Sequence, residues 1–486
     1  MNLLQPVSAN CYRIPRGGSM KVDALVYLKK ELLERFSEEE ALKQLSNAAS
    51  LPGVYNPVIG MPDIHSGFGL PIGGIMAMDA GEGLVSAGAV GMDINCGVRL
   101  LQTGINAHEL DASRLKSLLK EIAQRVPAGI GKKSRHHETI KKHLTQLLTR
   151  GVPHMVNMGI GRPADLERIE ERGSYPGASR KALSQAAIKR ADQLSTIGGG
   201  NHFIELGFVE KIYHQNLAQS FGLQEGALTV LIHTGSRGFG HQVCQDYTRI
   251  MKEASKRMNL DIPNPGLAAA PIQSEEGQSY LEAMAAAINF AFCNRQWITE
   301  DVRKAFHSVF QVKGKGKKKR KGSADYDPAL VYDVAHNIAK FEEIDEKPLL
   351  VHRKGAVRAL PPHHPLNPDC YKDTGHPVII PGSMGTSSYV VVGGTRASET
   401  FYSANHGAGR TLSRKAAKKN IEVEDFRKTM GDIQVWGGKL KSFLDEAPQA
   451  YKDVDLVVDT LAEIDVTRKV ARLKPLGVIK GEGSDH

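Results

Sequence analysis

The sequence predicts a mixed α/β (α+β) protein, and three observations carry that prediction. Charged and apolar residues alternate at helical spacing over 108–150, 178–195 and 240–258. Between these lie apolar, strand-like segments: 227-ALTVLIHTG-235, 348-PLLVHRKGAV-357, 377-PVIIPGSMG-385 and 388-SYVVVGG-394. No fixed-period repeat, proline-rich linker or break in composition interrupts the interleaving, so residues 1–486 read as one large domain.

Taken in order, the first 50 residues hold a short strand-like piece and an amphipathic helix from about Ser37 to Ala49. Residues 53–104 change character. They are glycine-rich, and their apolar clusters, 57-PVIGMPDI-64 and 84-LVSAGAVGMDI-94, lie between turn signals, which predicts short buried strands with close backbone approaches. The most apolar helical stretch, 280-YLEAMAAAINFAFCNRQWI-298, is interrupted by Glu282, Asn289, Asn294 and Arg295, so it reads as a core helix rather than a membrane span. The first 16 residues lack the basic-then-apolar order of a signal peptide, which predicts a cytoplasmic protein.

Apolar residues make up 41% and charged residues 24%, the balance of a soluble globular protein. Cys11, Cys96, Cys244, Cys293 and Cys370 are scattered with no Cys-x-x-Cys, which argues against a disulfide framework and a thiolate-only zinc site; a metal here needs mixed ligands. The net charge of +10 comes from 63 basic and 53 acidic residues, and seven of those basic residues sit in one run, 313-KGKGKKKRK-321. The run marks a basic surface insert over 313–324, read either as a solvated loop or as one that gathers nucleic acid.

The chemistry concentrates in glycine-flanked segments. In 91-GMDINCGVRL-100 a carboxylate and a thiol stand three positions apart, and a buried carboxylate is costly unless paired or metal-bound. Four similar contexts each present a histidine: His202, His233, His336 and His406. If Asp93, Cys96, His202, His233 and His336 converge, their five donors are too many for one tetrahedral ion, whereas a metal pair bridged by the Cys96 thiolate uses them all. Such a mixture suits Mn, Fe, Co or Zn without ranking them, and two divalent ions about 3.5–4 Å apart serve phosphoryl transfer. In 406-HGAGRTLSR-414, His406, Arg410 and Arg414 fall on one face if the segment is helical, and Arg237 follows His233 by four residues; these cations suit phosphate. The stretch 198-GGGNHF-203 lacks the Gly-Lys-Ser/Thr ending of a Walker loop.

These segments resemble the RtcB family of RNA-splicing ligases. The motifs that carry the likeness are 61-MPDIHSGFGLPIGG-74, 91-GMDINCGVR-99, 199-GGNHFIE-205, 233-HTGSRGFG-240, 332-YDVAHN-337, 381-PGSMGTSSY-389 and 405-NHGAGR-410, and it extends from about Leu51 to 473-LKPLGVIKGEG-483. The run 313–321 is not part of the family pattern.

The resemblance implies a single large domain with its active site in a central cleft. It implies GTP- and Mn²⁺-dependent joining of RNA ending in a 2′,3′-cyclic phosphate or 3′-phosphate to RNA with a 5′-hydroxyl, in tRNA splicing or RNA repair. His406 looks like the nucleophile that carries GMP. One Mn²⁺ is expected on Asp93, Cys96 and His202, and a second on Cys96, His233 and His336. The guanine nucleotide is expected against Asn201, Phe203, Glu205, His336, Asn337, Pro381, Gly382, Ser383, Met384, Ser388, His406, Gly407, Ala408, Gly409, Tyr451 and Lys480. Glu205 is chemically apt, because a carboxylate accepts from the N1–H and amine of guanine, which adenine does not present. Arg237, Arg410 and Arg414 resemble contacts to RNA phosphate. His65 belongs to the first motif and fits a structural hydrogen bond as well as a catalytic role. RNA is the implied partner, an archease-type activating protein assists relatives, and a monomer is expected. The competing classes are a metal-dependent phosphoesterase acting on RNA ends and an RNA-binding scaffold without catalysis.

Overall fold

Strand pairing gathers the apolar segments into two large sheets. The structure, a computed structural model, describes residues 4–310 and 326–483; the basic run 313–321 and the insert 313–324 lie outside the described residues. One sheet has seven strands in the order Gln5–Ser8, Cys11–Ile14, Ala24–Tyr27, Val58–His65, Ile72–Asp79, Lys347–Lys354 and Asn337–Ile344. The other runs Ala329–Ala335, Gly97–Asn106, Ala227–Thr234, Phe203–Ile212, Thr467–Lys480, Ser388–Gly393 and Val378–Ile380, with Gln434–Trp436 pairing alongside Thr467–Lys480. Most neighbours are antiparallel; Ala24–Tyr27 with Val58–His65 is a parallel pair.

The period-two alternation of side chains explains how the layers stack. Ile59, Met61, Ile75, Ala77 and Val351 of the first sheet and Val98, Leu100 and Leu231 of the second belong to one buried apolar cluster. Their neighbours Val58, Met76, Met78, Leu350, Leu101, Val230 and Ile232 point the other way, into a second cluster shared with helices. The central strands, such as Val58–His65 and Ala227–Thr234, are therefore buried on both faces, which is why they read as nearly continuous apolar runs.

The helix Glu275–Phe310 runs through the second cluster and is buried on nearly all sides between Gly277 and Phe306. Its buried asparagines are engaged: Asn289 Nδ2 donates to the Leu148 carbonyl at 2.9 Å, and Asn294 Nδ2 to that of Gly235 at 2.9 Å. Among the described residues, no helix is long and apolar enough to cross a membrane.

Several sequence expectations are corrected in detail. The first 50 residues hold three strands rather than one piece, and the amphipathic helix is Glu39–Ala48. The stretch 108–150 splits into Ala112–Arg125 and His137–Asn157 around a loop that contains Pro127, Gly129 and Gly131. The stretch 178–195 is not one helix but three short turns, Arg180–Ala182, Gln185–Lys189 and Arg190–Gln193. Ser179 Oγ accepts from Lys181 N and Ser184 Oγ from Ala187 N, so local side-chain caps restart the backbone every few residues. The cluster 84–94 begins as the strand Leu84–Ser86 and turns into the short helix Ala87–Val90. Residues 406–410 are not helical either; the helix begins at Arg414, because Gly409 takes φ +74° to pass Asp63.

Candidate metal and nucleotide site

The hydrogen-bond register of the second sheet assembles the metal-ligating candidates. Four adjacent strands, Ala329–Ala335, Gly97–Asn106, Ala227–Thr234 and Phe203–Ile212, end together, with Ala335 opposite Gly97, Val98 opposite His233 and His233 opposite Phe203. Cys96, His202 and His336 sit one residue beyond those strand ends, and the His336 N–H donates to the Cys96 carbonyl at 2.8 Å. Asp93 hangs from the same turn as Cys96, whose N–H donates to the Asp93 carbonyl.

The result is a compact donor set. Cys96 Sγ lies 3.3 Å from His202 Nε2 and 3.5 Å from His233 Nε2, and His233 Nε2 lies 3.4 Å from His336 Nε2. His202 Nε2 is 2.9 Å from Asp93 Oδ2. Two triads result, Asp93–Cys96–His202 and Cys96–His233–His336, with the donor atoms of each within 4.8 Å of one another and Cys96 common to both. All five residues are buried.

The electrostatics fit cations. Burial, with the neighbouring His202 and His406, holds His233 well below the usual histidine range, and burial with His406 and His233 does the same for His336. Both are therefore neutral and able to donate a lone pair. Against the burial that raises it, His202 and Arg237 hold the Asp93 carboxyl below the usual carboxylate range. Burial and the Asp93 carboxylate push the Cys96 thiol well up, so a bound cation is what would draw its proton off. His233 Nδ1 and His336 Nδ1 are buried without a hydrogen-bond partner among the described residues. Convergent soft and hard donors of this kind suit a metal pair.

His406 follows the short strand Ser403–Asn405, and its ring centroid lies 4.8 Å from that of His336. Its Nδ1 is 2.8 Å from Asp63 Oδ2, an oxygen that also accepts the backbone N–H groups of His406 and Gly407 at 3.1 and 3.2 Å. Sequence reasoning missed Asp63. The signal was present in 61-MPDIHSGFG-69, where one carboxylate interrupts an apolar strand; Asp63 is fully buried there. Gly409 lies against the Asp63 carbonyl, where a Cβ would approach to 2.2 Å, so only glycine lets the two segments meet. His65 Nδ1 donates to the Asp63 carbonyl at 2.8 Å, a structural bond beside the same cavity, and burial lowers this histidine to about 3.

The cluster opens into a cavity of about 680 Å³, within the range of nucleotide-sized pockets. The cavity brings together most of the predicted nucleotide set: Asn201, Phe203, His336, Asn337, the turn Pro381 to Met384, His406 to Gly409, Tyr451 and Lys480. Ser388 and Glu205 do not line it. Ser388 Oγ accepts from Gly382 N at 3.1 Å and so shapes the turn. Glu205 lies on the strand beginning at Phe203, buried and without a charged partner among the described residues, and burial pushes its carboxyl up to about 8.

The three arginines separate. Arg410 and Arg414 line the cavity and converge on Glu446, Arg410 Nη1 at 3.4 Å and Arg414 Nη1 at 2.7 Å, where Tyr451 Oη also donates at 2.6 Å and Lys480 Nζ stands at 3.7 Å. Against burial, Lys480, Arg414 and Arg410 keep Glu446 ionised. Glu446 had no signal in the sequence; its cationic partners come from two other segments, Arg410 to Arg414 and Lys480. Arg237 is buried behind the cluster, with Nη1 3.0 Å from His202 Nδ1. Gly198 gives it room, since a Cβ there would stand 1.8 Å from the guanidinium.

Comparison with known proteins agrees with this geometry. The family model described as "tRNA-splicing ligase RtcB" matches residues 44–481. The chain belongs to the RtcB family. It is 46% identical over 473 residues to the tRNA-splicing ligase RtcB of Thermococcus kodakarensis, covering 95% of each chain. It is 42% identical to that of Aeropyrum pernix, covering 95% of this chain and 96% of the relative. The RNA-splicing ligase RtcB of Mycobacterium tuberculosis is 42% identical over 448 residues, which span 90% of this chain and all of the bacterial protein. An RtcB-family scaffold thus carries the two triads and the cavity beside them.

Proposed function

We propose that this RtcB-family RNA ligase joins RNA ending in a 3′-phosphate, or in a 2′,3′-cyclic phosphate once water has opened it, to RNA with a 5′-hydroxyl, using GTP and two Mn²⁺ ions. The observation that carries the reading is the placement of His406, set between the Asp63 carboxylate and the histidine of one metal triad on the wall of a nucleotide-sized cavity.

The chain's own residues have definite tasks in this reading. Asp63 takes the Nδ1–H of His406, which fixes the tautomer and leaves the Nε2 lone pair free. Nε2 attacks the α-phosphorus of GTP; the N–P bond forms as the bond to pyrophosphate breaks. An oxygen of the RNA 3′-phosphate then attacks that phosphorus and releases His406. Finally the 5′-hydroxyl oxygen attacks the activated RNA phosphate, loses its proton and expels GMP. Bound divalent ions on the two triads supply charge neutralisation for these phosphoryl transfers. Lys480, Arg410 and Arg414 balance the anionic ligands, and Glu446 holds their side chains in place. Glu205 does not line the cavity, so for its ionised carboxylate to accept from the two donors of guanine, the wall in front of it has to yield when the nucleotide binds. Arg237 positions His202.

The test is covalent labelling. Protein incubated with α-labelled GTP and Mn²⁺ gains label, while ATP, or GTP without Mn²⁺, gives none. A phosphoesterase would process RNA ends and take up no label from either nucleotide.

A further inference from the structure

A ring stands at the mouth of the cavity that none of these tasks uses. Phe68 lines the cavity and is 44% exposed, unusual for a phenylalanine in a chain that buries most of its aromatic rings. The loop that carries it, 66-SGFGLP-71, is held firmly. Gln44 clamps the Gly67 backbone from both sides, Nε2 to the carbonyl at 2.7 Å and Oε1 to the N–H at 3.0 Å. Gly69, at φ +77°, lies so close to Gly266 that a Cβ would approach its carbonyl oxygen to 2.3 Å.

The loop is also tied to the reacting centre. Lys354 Nζ donates to the carbonyls of Phe68 and of Gly88, the latter at 3.0 Å. The Lys354 stem runs past Gly91, which opens the turn bearing Asp93 and Cys96, and the next residue, Gly355, would place a Cβ 3.0 Å from His406 Cε1. One strut thus connects the Phe68 loop, the metal-ligating turn and the nucleophile. The cavity wall also carries Glu38, Ser66, Met92 and His241, none of which belongs to the expected nucleotide set.

We infer that Phe68 is a stacking platform for the terminal base of one of the two RNA ends being joined, an inference that rests on the ligase reading above. A preorganised aromatic face recognises any base without regard to sequence, which suits an enzyme that joins varied ends. Base–aromatic stacks of this kind are worth on the order of 5- to 150-fold in binding.

The experiment is a double-mutant cycle between protein and RNA. Full-length wild type, Phe68→Leu and Phe68→Trp are compared for RNA affinity and for the sealing KM. The substrates are intact RNA ends, ends with an abasic 3′-terminal nucleotide, and ends with an abasic 5′-terminal nucleotide. Phe68→Leu weakens intact RNA roughly 5- to 150-fold and Phe68→Trp restores it. One abasic end costs the wild type a similar factor and costs Phe68→Leu nothing further, which identifies the stacked end. Equal affinity and KM for wild type and Phe68→Leu, or additive losses with both abasic ends, overturn the stack while leaving the ligase reading intact. A wild type that takes up label from neither nucleotide and seals nothing overturns the ligase reading and the stack with it.

Discussion

Two polar clusters meet the strand Gly97–Asn106, and they are built on opposite rules. Behind the sheet, Arg99 and Arg295 converge on Asp333, all three fully buried, at 2.7 and 2.9 Å. Arg295 also donates to the carbonyls of Asn95 and Thr234 at 2.9 Å each, and Arg99 to Gln296 and Thr299. In front, three residues back along the chain, Cys96 and its neighbours are equally buried, yet Cys96 Sγ, His233 Nε2 and His336 Nε2 face one another rather than opposite charges. The rear cluster pairs charge with charge inside the protein and, through Arg295, fixes the carbonyls on either side of the ligand-bearing turns. The front cluster crowds a carboxylate, a thiol and imidazoles together, a donor set that could hold a cation. Burial alone distinguishes neither; what separates structure from function here is whether the protein supplies the partner.

Substitutions sharpen that contrast, the largest effect first. His406→Ala abolishes the GMP adduct while metal still binds, read by labelled GTP and by metal analysis on one sample; an undiminished adduct would move the nucleophile elsewhere. Cys96→Ser removes the atom common to both triads and lowers metal occupancy and sealing by orders of magnitude, with little change in the stability of metal-free protein. Two ions per chain retained in Cys96→Ser would end the bridging role.

Asp333→Ala reverses the pattern. It leaves Arg99 and Arg295 buried without their anion, a change that typically costs about 3–5 kcal/mol, measured by chemical denaturation. A loss under about 1 kcal/mol would show that the rear network is not the stabilising partner of the pair.

How much of this was legible in the sequence follows the same division. The five metal-ligating candidates were legible because each lies in a glycine-flanked motif and each is chemically odd for its apolar surroundings. Their convergence was legible only through the family resemblance, since it depends on strand register across segments as distant as Asp93 and His336. Asp63 and Glu446 were missed for one reason: a carboxylate acquires its meaning from partners, and His406, Arg410, Arg414 and Lys480 come from elsewhere in the chain. Arg237 carried a phosphate-like signature in sequence, yet it faces His202. The interleaving of helices and strands was clear, but helical spacing over 178–195 could not reveal that Ser179 and Ser184 cap short turns there.

The smallest effect concerns Glu205, the carboxyl of the proposed nucleotide set, without a charged partner among the described residues. Glu205→Gln lowers GTP use by roughly 5- to 150-fold, about 1–3 kcal/mol, and leaves ATP use unchanged; an equal fall for both nucleotides would reduce its role to placing the strand. Because burial raises this group to about 8, the free protein holds it protonated at neutral pH, and binding guanine to the ionised form expels that proton. GTP affinity therefore climbs with pH, by at most about tenfold per unit between about pH 6 and 8, then levels off. The slope vanishes in Glu205→Gln. A wild-type affinity flat across that window would sever the link between Glu205 and guanine.

The position of the strand Thr467–Lys480 sets a schedule for the protein's manufacture. It lies inside its sheet, between Phe203–Ile212 and Ser388–Gly393, and it brings Lys480 to the cavity. During synthesis both flanking strands leave the ribosome first and wait with open edges, the state in which strands recruit unintended neighbours. The sheet closes, and the site becomes whole, only when this late segment arrives. A nascent chain stalled before residue 467 is thus an inactive and adhesive object, however complete its metal-ligating motifs.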